Sequence, residues 1–254
     1  MCRHLAYLGP PVPLGDLLFD LPHALSHQAW APGDMRGGGT INVDGFGVGW
    51  FPEPGGEPVR YRRATPIWSD PSLVALAGAT STGAVLAAVR SATAGMPVSE
   101  SAAAPFVEGR WLFSHNGKVT GWPDSVVKLA ERLPVRDLLT LDAPTDAALL
   151  WALVRDRLRA GADPGAVLRD TVLSVRAAAP ESRLNLLITD GDLIAATTAG
   201  HGLFARHDGR SVTVSSEPLD DDRAWAEVPQ DHLLVATRST LDIMPLDTMP
   251  LEAP

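Results

Sequence analysis

The chain has a single cysteine, and it stands second, in the stretch MCRHLAYLG. A solitary cysteine is ordinarily a small buried hydrophobe. Its position gives Cys2 another use. A small second residue permits removal of Met1, and Cys2 would then carry a thiol and a free α-amine on one carbon. An unperturbed α-amine titrates near ~7.7–8.0 and a cysteine thiol near ~8.5. The amine can therefore take the thiol proton, directly or through one water, as sulfur attacks a carbonyl carbon. Nucleophile and general base would come from one residue, with no separate His or Asp.

Three polar tips elsewhere could complete such a site. Arg90 follows the apolar run VLAAV. A strand-end Arg is ordinarily a solvated charge, but its planar fork suits a bidentate pair with a substrate carboxylate. Asn116-Gly117 follows WLFSH. That pair is a common tight turn. It is also a candidate oxyanion hole, made of the Asn116 side-chain amide and the Gly117 backbone N–H, each such donor lowering a barrier by about 3 kcal/mol. Asp146 heads a helical pattern in APTDAALL. A carboxylate there is ordinarily a cap or dipole partner, and it could instead accept from a substrate ammonium. Together these groups would select an α-amino acid head group and present its side-chain carbonyl to sulfur.

The elements that must position them follow from periodicity. His4–Tyr7 reads as a short buried strand, and PLGDLLFD and PHALSHQAW read as short helices. INVDGFGVGWF reads as a strand in which Gly45, Gly47 and Gly49 leave one bare face for another backbone or a ligand. VRYRR is a strand and SLVALAGA a helix. GAVLAAVRSA and RWLFSHNG are strands ending in the polar tips. PDSVVKLAERL predicts a helix opening at Pro123. TDAALLWALVRDRLRAG and DPGAVLRDTVLSVRAAA predict long amphipathic helices. A strand meander follows, with a hairpin at LLITDGDLIAA. The acidic segment from Ser216 to Pro229 reads as an ordered loop held by Trp225, and the last dozen residues are expected to fray. Strands, two long helices, then strands predict an α+β fold with helices packed on antiparallel sheets, in a single domain over residues 2–254.

Composition bounds the function. The chain of 254 residues is 45% hydrophobic with a net charge of −9. That balance disfavours coating nucleic acid or docking on an anionic membrane, while small charged ligands remain possible. No apolar run approaches the ~18 residues of a spanning helix, and prolines and Asp16 break the N-terminal pattern a signal peptide needs. One cysteine forms neither an internal disulfide nor a zinc pair. A reducing cytoplasm is the expected compartment. His23 and His27 have metal-pair spacing but no third ligand nearby. The alternating glycines lack a dinucleotide fingerprint's spacing. Trp30, Trp50, Trp68 and Trp225 read as core or lid anchors, although an aromatic face also suits a quaternary ammonium.

These motifs resemble the class II glutamine amidotransferase domain of the N-terminal-nucleophile hydrolases. The resemblance rests on the second-position Cys, the Arg90-Ser-Ala-Thr93 strand tip, Asn116-Gly117 and Thr145-Asp146. It implies an αββα four-layer sandwich of two antiparallel sheets. It implies Cys2 as nucleophile and base, Asn116 and Gly117 as the oxyanion hole, and Arg90, Thr93 and Asp146 as substrate-binding residues, with no metal or organic cofactor. Two positions depart from the family pattern: Ala104 stands where His is common, and Thr-Asp-Ala-Ala replaces Thr-Asp-x-Glu. The wording of MCRHLAYLGPP, VDGFGVGW, YRRATPIW, VLAAVRSATAGMPV and SSEPLDDD resembles the branch of ergothioneine biosynthesis. There the substrate is a small γ-glutamyl compound, γ-glutamyl-hercynylcysteine sulfoxide. A glutaminase subunit feeding ammonia to a separate synthase, and a non-catalytic binding module that keeps the fold, are the alternatives.

Overall fold

Period-two alternation along the strands sets the layers. In the computed structural model, which describes residues 2–35 and 41–247, strand β1 (Arg3–Pro13) sends Leu5 and Tyr7 to one face and Ala6 and Leu8 to the other. It belongs to a seven-stranded sheet with β2 (Phe46–Trp50), β3 (Val59–Arg63), β4 (Ser81–Val89), β9 (Phe204–His207), β10 (Val212–Ser215) and β11 (Ala226–Glu227). Their spatial order is β11-β9-β10-β1-β4-β2-β3. The second sheet, six-stranded, holds β5 (Phe106–Glu108), β6 (Trp111–Lys118), β7 (Arg183–Thr189), β8 (Ile194–Thr198), β12 (His232–Ala236) and β13 (Leu241–Pro245). Its order is β13-β12-β8-β7-β6-β5. Every pairing is antiparallel.

Three apolar clusters fill the spaces between layers. Ala6, Leu8 and Leu86 of the first sheet meet Leu112, Leu187 and Leu234 of the second, which forms the central interface. The opposite face of the first sheet, Leu5, Val48 and Val85, packs on α1 (Leu25–Trp30) and α2 (Pro71–Ala79). The opposite face of the second sheet, Phe113, Leu186 and Ile188, packs on α5 (Asp146–Arg159) and α6 (Pro164–Ala178). Phe113 and Trp151 stack there with ring centroids 5.3 Å apart. The result is the expected α+β sandwich, ordered helix, sheet, sheet, helix.

Helix starts follow capping chemistry. Asp70 accepts from Ser72 N and Leu73 N at 2.9 and 3.0 Å, with Pro71 opening α2. Asp163 accepts from Ala166 N at 2.8 Å, with Pro164 opening α6. Thr145 caps α5 by accepting from Ala148 N at 3.2 Å. These side chains satisfy donors that a helix start leaves free.

Four expectations need correction. β1 runs to Pro13 rather than stopping at Tyr7. Its pairing with β4 shifts register between Leu8 and Val12, so the bulge absorbs Gly9-Pro10-Pro11, where proline has no donor for the ladder. PDSVVKLAERL is not one helix. A single turn at Asp124–Val126 precedes the short α3 (Val127–Ala130), and α4 (Val135–Leu139) follows Pro134. Asn116-Gly117 is no turn, because β6 continues through Lys118 in register with β7. The last dozen residues begin inside β13, which pairs with β12, so their first part is held. Residues 248–254 and Met1, whose removal the sequence predicts, lie outside the described residues. The Asp190-Gly191 hairpin between β7 and β8 forms as expected, with Gly191 at φ +92°.

Candidate active site

Strand register brings the N-terminal thiol to the strand-end guanidinium. Arg3 pairs with Val89 across β1 and β4, so the residue entering β1, Cys2, lies beside the residue leaving β4, Arg90. The Cys2 thiol is 3.7 Å from the Ser91 carbonyl oxygen. A cavity of about 40 Å³ opens at this corner, lined by Cys2, Arg90, Thr93, Gly117 and Asp146 among others. Residues far apart in sequence and drawn from both sheets thus meet around one small space.

Each side chain is held by its own element. The backbone of Arg90 is clamped on both sides, Arg90 N donating to Gly45 O at 2.7 Å and Asp44 N donating to Arg90 O at 3.0 Å. Asp44 also accepts from Ala92 N at 2.7 Å, which fixes the loop after the strand. The guanidinium donates to Pro97 O at 2.8 Å. Among the described residues it has no carboxylate partner, so its fork remains open to an anion. Asp146 is buried at the start of α5. Its oxygens accept from Val119 N at 2.9 Å and Ala147 N at 2.8 Å. An ionised carboxylate has about four acceptor positions, so capping leaves room for a substrate ammonium.

Gly117 is required by close approach. A Cβ there would lie 1.9 Å from the Arg183 carbonyl oxygen and 2.8 Å from His115 Nε2. Gly117→Ala is expected to destabilise the fold by about 2 kcal/mol through overpacking, read as a lower urea midpoint at unchanged slope. Asn116 is buried in the sandwich and is not among the cavity-lining residues. Its amide nitrogen donates to Ser216 Oγ over a long 3.4 Å, and its Oδ1 has no partner. Ser114 and Asn116 share the inter-sheet face with Leu112, and of these two only Ser114 reaches the cavity.

The sequence reading missed the polar layer behind the cavity. His4 Nδ1 lies 3.2 Å from Ser114 Oγ, and His201 is buried with neither ring nitrogen bonded. Burial first, then the neighbouring His115, His201 and Arg3, pushes the His4 pKa down to about 3. Burial, then Arg183, Arg3 and His115, does the same to His201, also to about 3. Both are neutral at pH 7. SH at 114–115 in an otherwise apolar strand was a visible signal for this layer, whereas His201 arrives only through sheet topology. The unfolded chain binds these protons near ~6.5 and the folded chain only near 3, so stability is lost as pH falls between those values. Urea unfolding across pH 6 to 4 should show stability declining by up to about 1.4 kcal/mol per pH unit for each such histidine. His4→Gln should flatten that slope.

A match to the sequence profile described as Glutamine amidotransferases class-II spans residues 17–205. The chain belongs to the class II glutamine amidotransferases. It is 40% identical over 247 residues to a γ-glutamyl-hercynylcysteine sulfoxide hydrolase of Mycobacterium tuberculosis (strain CDC 1551 / Oshkosh), covering 97% of each chain. It is 39% identical to a protein of the same description from Mycolicibacterium smegmatis, covering 97% of this chain and 100% of that one. A glutamine aminotransferase class-II domain protein from Silicibacter pomeroyi superposes with a TM-score of 0.69 at 24% identity, covering 96% of this chain and 99% of that one. Glutamine PRPP amidotransferase from B. subtilis superposes with a TM-score of 0.67 at 14% identity, covering 98% of this chain and 50% of that one. Those two superpositions establish the shared fold.

The departures from the class II amidotransferase pattern now have structural settings. Ala104 lines the cavity, and its carbonyl oxygen would lie 2.2 Å from a Cβ on Gly47. The bare face of β2 is therefore occupied by backbone, the loop before β5. Arg62 holds that loop by donating to Ser101 O at 3.3 Å and Ala103 O at 3.0 Å. Ala148, where Glu is usual, is buried against the core, so the Thr145 cap lacks the reciprocal half of a capping box. Elsewhere, His23 and His27 stack edge-on and His23 meets Asp221 at 3.3 Å. Among the described residues no group of three His, Cys, Asp or Glu could hold a metal, and no helix is long and apolar enough to cross a membrane. Trp225 does hold its acidic loop, donating to Asp220 at 2.8 Å beneath the Arg206 guanidinium.

Proposed function

We propose that this class II amidotransferase hydrolyses the γ-glutamyl amide bond of γ-glutamyl-hercynylcysteine sulfoxide, releasing glutamate and hercynylcysteine sulfoxide. The observation that carries the reading is the convergence of Cys2, Arg90, Thr93, Gly117 and Asp146 on one cavity. The substrate is the one printed in the names of the 40% and 39% identical relatives.

The chemistry follows from the residues. Arg90, helped by Thr93, holds the glutamyl α-carboxylate, and Asp146 holds the α-ammonium. Anchoring both ends of the zwitterion fixes the γ-carbonyl beside Cys2 and removes orientation entropy from the barrier. With Met1 removed, the Cys2 α-amine takes the thiol proton as sulfur adds to the carbonyl. The Gly117 N–H faces the developing oxyanion. The Asn116 amide nitrogen, whose one partner among the described residues is Ser216 Oγ at a long 3.4 Å, supplies the second donor by turning toward it. The proton passes to the departing nitrogen, the C–N bond breaks, and a γ-glutamyl thioester remains on sulfur. Water then gives a proton to the same amine and adds to the thioester carbonyl. Breaking the C–S bond releases glutamate and restores the thiol. Incubation with a panel of γ-glutamyl amides, with products weighed, tests the assignment. Preferred release of glutamate from the sulfoxide substrate supports it, and equal slow release from every amide contradicts it.

A further inference from the structure

A second cavity lies against the first and is far larger, about 450 Å³ beside about 40 Å³. Thr93 and Met96 line both. The two also adjoin along the chain, since Gly117 lines the first and Lys118 the second. A substituent on the scissile nitrogen that passes Thr93 and Met96 therefore enters the second cavity. An enzyme that only releases ammonia has no use for such a space.

The wall of this cavity is built from an aromatic face and a cation. Trp122 is half-buried, packed on one side against the core beneath α5 and α6, and it lines the cavity. Lys118 is exposed, and among the described residues its ammonium has no hydrogen-bond or carboxylate partner. The segment between them is pinned before any ligand arrives. Thr120 N donates to Ser182 Oγ at 3.0 Å, Ser125 Oγ donates to Thr120 O at 2.7 Å, and Ser125 N donates to Gly121 O at 3.1 Å. Gly121 takes φ +70°, which places the indole at the end of a fixed turn. A wall ordered in advance loses little entropy on binding.

We propose that this cavity binds the amine side of the scissile bond as a zwitterion. Trp122 offers its face to a quaternary ammonium, and Lys118 pairs with a carboxylate. The inference rests on the γ-glutamyl hydrolase reading and adds its specificity site. The chemistry fits a histidine betaine, whose trimethylammonium cannot donate a hydrogen bond and is recognised by an aromatic face. Its carboxylates need a cation, and Arg90 is already committed to the glutamyl end. Trp122 was absent from the tryptophans singled out in the sequence. It is brought to the site by the β6 extension that carries Gly117 and Lys118.

The test compares kcat/KM for γ-glutamyl-hercynylcysteine sulfoxide with kcat/KM for glutamine, as a ratio, in wild type and variants. Any loss of folded protein lowers both values and cancels. Trp122→Ala should lower the ratio about tenfold, mostly through KM. Trp122→Phe should restore it to within about threefold. Lys118→Gln should lower it about threefold and weaken its salt dependence. An unchanged ratio in Trp122→Ala and Lys118→Gln overturns the proposal and leaves the hydrolase reading standing. If the wild type cleaves neither compound, the hydrolase reading fails, and calorimetric titration with free trimethylhistidine betaine still decides the cavity. Binding that weakens in Trp122→Ala supports it, and binding that is absent or equal in both proteins overturns it.

Discussion

Cys2→Ala will abolish glutamate release, lowering kcat by about 10⁴–10⁶-fold, the scale on which loss of a covalent nucleophile is felt. The thiol sits at the entrance to β1, in a cavity whose other walls come from β4, β6 and α5. Among the described residues its one hydrogen bond is a 3.7 Å contact to the Ser91 carbonyl, so the mutation removes chemistry with little packing. Thermal stability should be preserved within about 1 kcal/mol. Cys2→Ser should be nearly as inactive, because a hydroxyl is far less acidic than a thiol and the amine is a weak base for it. The substitution also separates the enzyme from a non-catalytic module of the same fold, for which Cys2→Ala would change nothing. Glutamate release measured by a coupled assay, with a thermal melt on the same samples, gives the answer.

Arg90→Ala should be the second most damaging change, lowering kcat/KM by about 10²–10³-fold. Removing one partner of a hydrogen-bonded charge pair costs roughly 2–5 kcal/mol, since the remaining charge is left without its counterion. The loss should appear mainly in KM for glutamine and for larger γ-glutamyl amides alike, because the glutamyl end is common to all. That uniformity sets Arg90 apart from Trp122, whose replacement discriminates between substrates. Arg90→Lys should recover little, since an ammonium cannot reproduce the bidentate fork. Steady-state kinetics on both substrate types reads this directly.

The parts of this molecule legible in its sequence are those in which local pattern and tertiary role coincide. Thr145-Asp146 heads a helix by capping chemistry and lines the cavity for the same reason: helix starts carry polar side chains. Arg90 ends an apolar strand, and strand ends open at the rim of a sandwich. Gly117 misled as a turn signal because its actual constraint is nonlocal. The Arg183 carbonyl of the neighbouring strand leaves no room for a Cβ, and nothing in the segment around Gly117 contains Arg183. The break in PDSVVKLAERL follows from anchoring at its N-terminal side, where Gly121 and Ser125 fix a tight turn that an unbroken helix would erase. The buried polar layer was only partly legible, because His4, Ser114-His115 and His201 come from three separated segments that only the fold brings together. The same holds for the large cavity, whose walls are loops that become neighbours only once β4, β6 and α5 are in place.

The central claim is a γ-glutamyl thioester formed on a terminal Cys2. Intact-mass analysis of the protein, quenched in acid during turnover of a γ-glutamyl amide, tests it most directly. The account predicts a chain lighter than the encoded one by a methionine residue, with a fraction heavier by one glutamyl group that maps to Cys2 and disappears in Cys2→Ala. A chain that retains Met1 while turning substrate over, or a glutamyl adduct on any other residue, would contradict it.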